Sequence, residues 1–334
     1  MTNNCVIVTN EQILLMCPPD GYEIPAPNPN TGHANDFAIQ GYAEFKKSPK
    51  KFRKEAERQW VNLRNIFNDL GVITVEMPPQ ENQPDLVFTA DPSLSFQDRT
   101  GKLVTIFSRF SNEERQIEVD AHSAFFEKEL PERPLVSSHY RIEGTGDNVY
   151  DPARDLFWSG YTHTAGRHNA AAGRSDQRAH SALQQLTGVD VVSLAVKRPF
   201  FHIDTSLGAL SRGHLVVYKG GMQPLAYQKM ISNAFDRFGL KRDEFLIEVS
   251  EEDAAKYACN LRCVGNTVIM PEVSNELQER IRAKGYQVIT TNLSQFIYSG
   301  GSVHCLTNNL NEQRVYGGIF IEEKPKRVGL ELAI

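Results

Sequence analysis

The chain has 334 residues, a formal net charge of −5, 40% hydrophobic and 23% charged residues, which is the composition of an ordinary globular protein with room for a sizeable core. The mildly acidic balance argues against nucleic acid or an anionic membrane surface as the main partner, and no apolar run is long enough to span a bilayer. The opening "MTNNCVIVTNEQILLM" lacks the basic start of a signal peptide, and five cysteines (Cys5, Cys17, Cys259, Cys263, Cys305) form no disulfide framework, so a cytoplasmic protein with free thiols is expected.

Taken in chain order, the first predicted strand is "QILLMCPP". Residues 18–50 follow as a Pro-, Gly- and Asn-rich excursion, expected to be a long inserted loop, either a functional lid or a tolerated insertion. The helix "KFRKEAERQWVNLRNIFNDLG" carries Trp60, Leu63, Phe67 and Leu70 on one face and leads into the strand "VITVEMP".

Four rounds of one pattern come next, each a strand with polar residues, a turn, an apolar strand, a helix and another apolar strand. The first runs "DLVFTADPSLSF", "KLVTIFS", a helix over 114–130 and "PLVSS". The second runs "RIEGTGDNVYD", "RDLFWSGY", a helix over 168–186 and "VDVVSLAV". The third runs "FFHIDTSLGAL", "HLVVYKGG", a helix over 224–238 and "EFLIEVS". The fourth runs "ACNLRCVG", "NTVIMP", "NELQERIRAK" with Ser274 as N-cap and Gly285 as C-cap, and "YQVITTN". A fifth opens at "SGGSVHCLTNNL", and its remaining pieces are the N-terminal strand, helix and strand. Five ββαβ rounds, one split between the termini, suggest a closed pseudo-symmetric α/β array, with an open α/β sheet as the alternative.

If the rounds close, their polar opening strands face one centre. They would bring together Asp91, Glu143, Asp147, His202, Asp204 and Cys305, the last placed after a Gly300–Gly301 hinge. Carboxylates bind a planar cation through charge-assisted bonds, a thiolate attacks its electron-poor carbon, and an imidazole moves the protons. Each residue alone has a plain structural reading: Cys305 as a small core residue, His202 as a satisfied core histidine, Asp204 as a turn cap, and Glu143 and Asp147 as solvated acids of a tight loop. Cys259 with Cys263, and His163 with His168, have no partner pair at zinc-site spacing, so no metal is expected. The glycines of "EGTGD" lack the Lys-Ser/Thr end of a phosphate loop.

As a set, "FTADPSL", "RIEGTGDNVYD", "FHIDTSLGAL", "ACNLRCVGNTVIMP" and "SGGSVHCLT" resemble the guanidine-modifying enzyme superfamily, the penteins, over most of the chain. Arginine deiminases, dimethylargininases, arginine dihydrolases and amidinotransferases belong to it. The resemblance implies a five-bladed α/β propeller forming a single catalytic domain over residues 1–334. It also implies a nucleophile at Cys305, a general acid/base at His202 with Glu143 as its partner, and substrate-binding carboxylates at Asp91, Asp147 and Asp204. Hydrolysis of a small guanidino substrate without cofactor or metal would follow, with dihydrolysis to ornithine, amidino transfer and a non-catalytic propeller as the alternatives. Self-association into a homo-oligomer is left open. Arginine dihydrolases carry asparagine where this chain has Asp91, "YTHT" has His163 where many relatives have arginine, and "SLGAL" replaces a "CFCPL"-like stretch. For a substrate's carboxylate and amine, Arg262, Arg109 and the 28–35 loop are the candidates.

Overall fold

The computed structural model describes residues 12–27, 35–161 and 174–320. Its strands form five three-stranded sheets. In each, the middle strand pairs antiparallel with the first strand and parallel with the last. The sheet of the first round joins Ser93–Gln97, Leu103–Phe107 and Leu135–Ser137, with the helix Gln116–Glu129 as the crossover. The other rounds repeat this plan, and the crossover helices are Gln177–Thr187, Pro224–Ala234 and Asn275–Ala283. A parallel pairing needs such a crossover because the chain must return to the same end of the sheet.

The fifth sheet is assembled from both ends of the chain. Ile13–Met16 pairs antiparallel with Asn308–Asn309 and parallel with Ile73–Glu76. Its helix, Pro49–Asp69, starts with proline at the first turn, where no N–H is needed. It buries Phe52, Ala56, Trp60, Leu63 and Phe67, one residue per turn along a single stripe. Burial of each large side chain contributes roughly 1.5–3 kcal/mol, and together they hold the split round closed over Leu14, Met16 and Phe296. Middle strands such as Leu215–Val217 and Thr267–Pro271 are buried throughout, as strands covered on both faces must be.

Three expectations change. Residues 18–50 are not one loop, because Asp36–Lys47 is a helix. The Asn35 side chain caps it by accepting from Ala38 N, and Phe45 and Gly41 lie on its buried side. The helical stripe was masked by the Pro- and Asn-rich stretch before it. The second-round helix spans Gln177–Thr187, capped by Asp176, rather than starting near residue 168; His168, His163 and Cys5 lie outside the described residues, as does nearly all of the 28–35 loop. Third, Gly300–Gly301 is a packed turn and no hinge. Gly300 has φ +92°, and a Cβ on Gly301 would lie 2.7 Å from Phe88 Cδ1.

Candidate active site

The chemical residues do not sit on the opening strands. They sit in the turns that precede them. Asp91 lies before Ser93–Gln97, Glu143 and Asp147 before Asn148–Asp151, His202 and Asp204 before Leu207–Ala209, and Cys305 before Asn308–Asn309. Asn260 holds the equivalent place before Arg262–Val264 in the fourth round. A strand spends its N–H groups on the ladder and turns alternate side chains away. A turn leaves consecutive side chains and backbone donors free to converge.

Hydrogen bonds link these turns from round to round. Thr145 N donates to Ala90 O at 2.8 Å, Asp204 N to Gly146 O at 3.1 Å, His304 N to Asn260 O at 3.4 Å and Ala90 N to Cys305 O at 3.2 Å. Between the third and fourth rounds, Asn260 Nδ2 donates to Asp204 Oδ2 at 2.8 Å. Gly146 makes one approach feasible: a Cβ there would lie 2.7 Å from Asp91 Oδ1 and 2.8 Å from His202 Nδ1.

Five of the six expected residues converge on the centre. His202 Nε2 is 2.7 Å from Glu143 Oε2, and His202 Nδ1 is 3.6 Å from Asp91 Oδ1. Cys305 Sγ is 3.3 Å from Asp204 Oδ2 and 3.0 Å from Asn260 Nδ2. Asp91 and Cys305 face a cavity of about 340 Å³ that is also lined by Arg115, Arg174 and Phe201. Three buried polar atoms, Asp91 Oδ1, His202 Nδ1 and Asp204 Oδ1, make no hydrogen bond to described residues. Buried polar groups are ordinarily paired, so these valences are open to a bound molecule.

Asp147 departs from the substrate-binding role expected of it. Its Oδ2 accepts from Ser175 N and Oγ, and its Oδ1 accepts from Ile203 N. It therefore braces the His202 turn from behind with both oxygens spent; like Glu143, His202 and Asp204, it is not part of the lining of that cavity. Arg109 reaches the surface, where it donates to His139 O. Arg262 is tied to Thr307 and faces a second cavity beyond Asp204. The cations that do line the first cavity, Arg115 and Arg174, were not singled out from the sequence. Arg115 donates to Asp91 Oδ2 at 2.8 Å and to Glu118, and Arg174 stacks 4.4 Å over the Phe201 ring, 3.6 Å from Glu143. Neither belongs to a motif; only their distance to the carboxylates marks them.

The electrostatics separate the groups by role. Burial by itself would raise the Glu143 carboxyl, but Arg174 and the His202 hydrogen bond hold it at about 2. Burial would push His202 down, but the charges of Asp91, Asp147 and Glu143 outweigh it and lift the imidazole to about 9. Burial pushes Asp204 up to about 8, and burial with Asp204 and Asp91 pushes the Cys305 thiol well above its ordinary range.

These shifts have a sign in stability. His202, lifted from 6.5 to about 9, contributes stability that is full below 6.5 and lost as pH rises through 9. Glu143, lowered from 4.5 to about 2, contributes stability that is full above 4.5 and lost as pH falls through 2. Asp204 also favours the folded state less as pH rises, but its change is largely complete near 8. Above pH 8 the thiols of Cys17, Cys259, Cys263 and Cys305, all raised by burial, add to the fall as their unfolded counterparts ionise, so His202 accounts for one part of the decline in melting temperature above pH 6.5. His202→Asn should make the decline above pH 6.5 shallower without abolishing it in thermal melts, and an unchanged slope would refute the assignment.

Among the described residues no cluster of three metal-ligating side chains occurs, and Cys17, Cys259, Cys263 and Cys305 are free thiols.

With this geometry in place, similarity to known proteins becomes informative. The model of the eukaryotic N,N dimethylarginine dimethylhydrolase family matches residues 26–312. The chain belongs to this family. It is 29% identical over 331 residues to the bifunctional arginine dihydrolase/ornithine cyclodeaminase AgrE of Nostoc sp. (strain PCC 7120 / SAG 25.82 / UTEX 2576), covering 96% of this chain and 41% of that protein. It thus spans about two fifths of that relative. It is 28% identical over 253 residues to the N(G),N(G)-dimethylarginine dimethylaminohydrolase of Mycobacterium tuberculosis, covering 75% of this chain and 74% of the relative. The crystal structure of the N-terminal domain of the cyanobacterial arginine dihydrolase ArgZ, bound to product, matches with a TM-score of 0.74 at 28% identity, covering 91% of this chain and 99% of that one. Family membership accords with the pentein resemblance carried by the five motifs.

Proposed function

We propose that this chain is a cysteine-dependent amidine hydrolase acting on the guanidinium carbon of arginine or an arginine derivative, releasing ammonia or an amine and a ureido product such as citrulline. The observation that carries the reading is the cluster at the cavity: Cys305 and Asp91 line it, His202 Nδ1 stands 3.6 Å from Asp91 Oδ1, and Asp204 Oδ2 stands 3.3 Å from the thiol. The same reading takes the five sheets as one catalytic unit closed into a five-bladed propeller. The turn-to-turn bonds that run from the first round to the fifth, and from Cys305 O back to Ala90, support that closure.

In this scheme a guanidinium cation donates charge-assisted bonds to Asp91 Oδ1 and Asp204 Oδ1. Its positive charge offsets the carboxylates that hold the thiol protonated. The bound cation also lowers the Asp204 carboxyl, which burial holds at about 8, so the ionised carboxylate takes the Cys305 proton at Oδ2, 3.3 Å away, and the thiolate attacks the guanidinium carbon. The His202 imidazolium then protonates the departing nitrogen, and the C–N bond breaks. An S-alkylthiouronium remains on Cys305. Neutral His202 next takes a proton from water as its oxygen adds to the same carbon. The C–S bond breaks and returns the thiolate, which takes back the proton held by Asp204, and the adduct's hydroxyl proton leaves to solvent as the ureido carbonyl forms. Glu143 keeps His202 oriented and charged between steps. No step calls for a metal or organic cofactor.

Arg174, at the cavity wall, is placed to receive a substrate carboxylate. The free thiols support a cytoplasmic setting. Dihydrolysis to ornithine is the second reading, favoured because AgrE and ArgZ are named arginine dihydrolases. Incubation with arginine and methylated arginines, with products resolved by mass, tests the proposal; a ureido product is expected. No consumption of any guanidino compound would reject it, and transfer only when glycine is added would indicate an amidinotransferase.

A further inference from the structure

Among the described residues, the fourth round contributes the only uncharged side chain that hydrogen-bonds the Cys305 sulfur. Asn260 is fully buried. Its Nδ2 lies 3.0 Å from Cys305 Sγ and 2.8 Å from Asp204 Oδ2, so its two amide hydrogens can serve both at once. Its Oδ1 accepts from Ser302 N at 3.1 Å and from Cys305 N at 3.2 Å, which fixes the turn that carries the thiol. The main chain is shaped to present it. Tyr257, at φ +64°, turns the chain after the helix Glu251–Ala255, and Asn260 N bonds back to Tyr257 O. A left-handed tyrosine is costly, and the surrounding structure must hold it there.

We propose that Asn260 is a catalytic residue of the hydrolysis, donating a hydrogen bond from Nδ2 to the Cys305 thiolate and holding that sulfur against Asp204. The assignment rests on Cys305 being the nucleophile. The charges around the sulfur give such a donor a role, one that Asn260 shares with the Ser302 main chain. Asp204, at 3.3 Å, and Asp91 both oppose a thiolate. His304 is bound to Asp204 Oδ2 at 2.9 Å and does not reach the sulfur by any hydrogen bond. The Tyr257 hydroxyl has no hydrogen-bond partner among the described residues, and the Arg262 guanidinium is committed to Thr307. His202 serves Glu143. Among the described residues, Asn260 is the only side chain that donates a hydrogen bond to Cys305 Sγ.

The test reads the thiol directly and needs no substrate. Iodoacetamide alkylation of the peptide carrying Cys305 is followed against pH in wild type, Asn260→Ala and Asn260→Asp, with thermal melts of each. Asn260→Asp keeps the acceptor that anchors Ser302 N and Cys305 N but places an acid where the donor was, so it holds the turn while reversing the electrostatics. Both variants should move the alkylation midpoint to higher pH, Asn260→Asp further, and slow the reaction at pH 8 by about tenfold or more, the scale of one hydrogen bond to a charged group. A folded Asn260→Asp with the wild-type profile would show that Asn260 only anchors the turn and would overturn the assignment. Should Asn260→Ala not fold, Asn260→Asp alone decides. Should the wild type turn over no guanidino compound, the hydrolase reading fails, while the alkylation profiles still decide the Asn260–sulfur contact.

Discussion

Cys305→Ser should reduce turnover by more than about a thousandfold while leaving the melting temperature nearly unchanged, because the thiolate is a far better nucleophile than a hydroxyl near neutral pH. The site sharpens this expectation. Burial and two carboxylates already push the thiol up, and a hydroxyl, which starts as a much weaker acid, would meet the same opposition. Folding should survive since the serine oxygen can still bond Asn260 Nδ2 and Asp204 Oδ2, the two groups now around the sulfur. Steady-state product formation and intact-protein mass spectrometry after mixing with substrate check both halves. A variant that retains a tenth of wild-type activity, or that still forms a covalent adduct, would remove Cys305 from the mechanism.

Asp91→Asn should weaken guanidinium binding by about 1.5–3 kcal/mol, the scale of a hydrogen bond to a charged group. Asp91 Oδ2 is already spent on Arg115 at 2.8 Å, so the unpartnered Oδ1 is the atom at stake. Asp91 is also the largest charge raising His202. Its neutralisation should lower the imidazole from about 9 and move the basic limb of the kcat/KM profile to lower pH. The wild-type carboxylate suits a cation and would lose its charge partner facing a neutral ureido group, which an amide serves better with one donor and one acceptor. The wild-type enzyme should accordingly stop after one hydrolysis, with one nitrogen released per substrate consumed. Two ammonia per arginine, with ornithine as product, would show that Asp91 does not set the endpoint and would favour the dihydrolase reading. Quantifying ammonia and amino-acid product in the same reaction separates the two.

The order of elements was legible without any coordinates. Apolar runs such as "NTVIMP" and "HLVVYKGG" announce buried strands, and the Trp60, Leu63, Phe67 stripe announces an amphipathic helix, because periodicity and burial are local properties of the chain. The split fifth round was legible for the same reason: Ile13–Met16 and Asn308–Asn309 are each incomplete alone. Cys305, His202, Glu143, Asp91 and Asp204 were legible as a set of motifs in order. What lies between them was not. Distances through space decide that both oxygens of Asp147 are spent on Ser175 and Ile203, and that Arg115, 24 positions from Asp91 in sequence, is paired with one of its oxygens. They also decide that an unremarked asparagine touches the sulfur. Hydrogen-bond pairing in a turn cluster leaves no period in the sequence; it is set only when turns from separate rounds are brought within 3 Å of one another, the range at which polar groups bond and charges shift each other's protons.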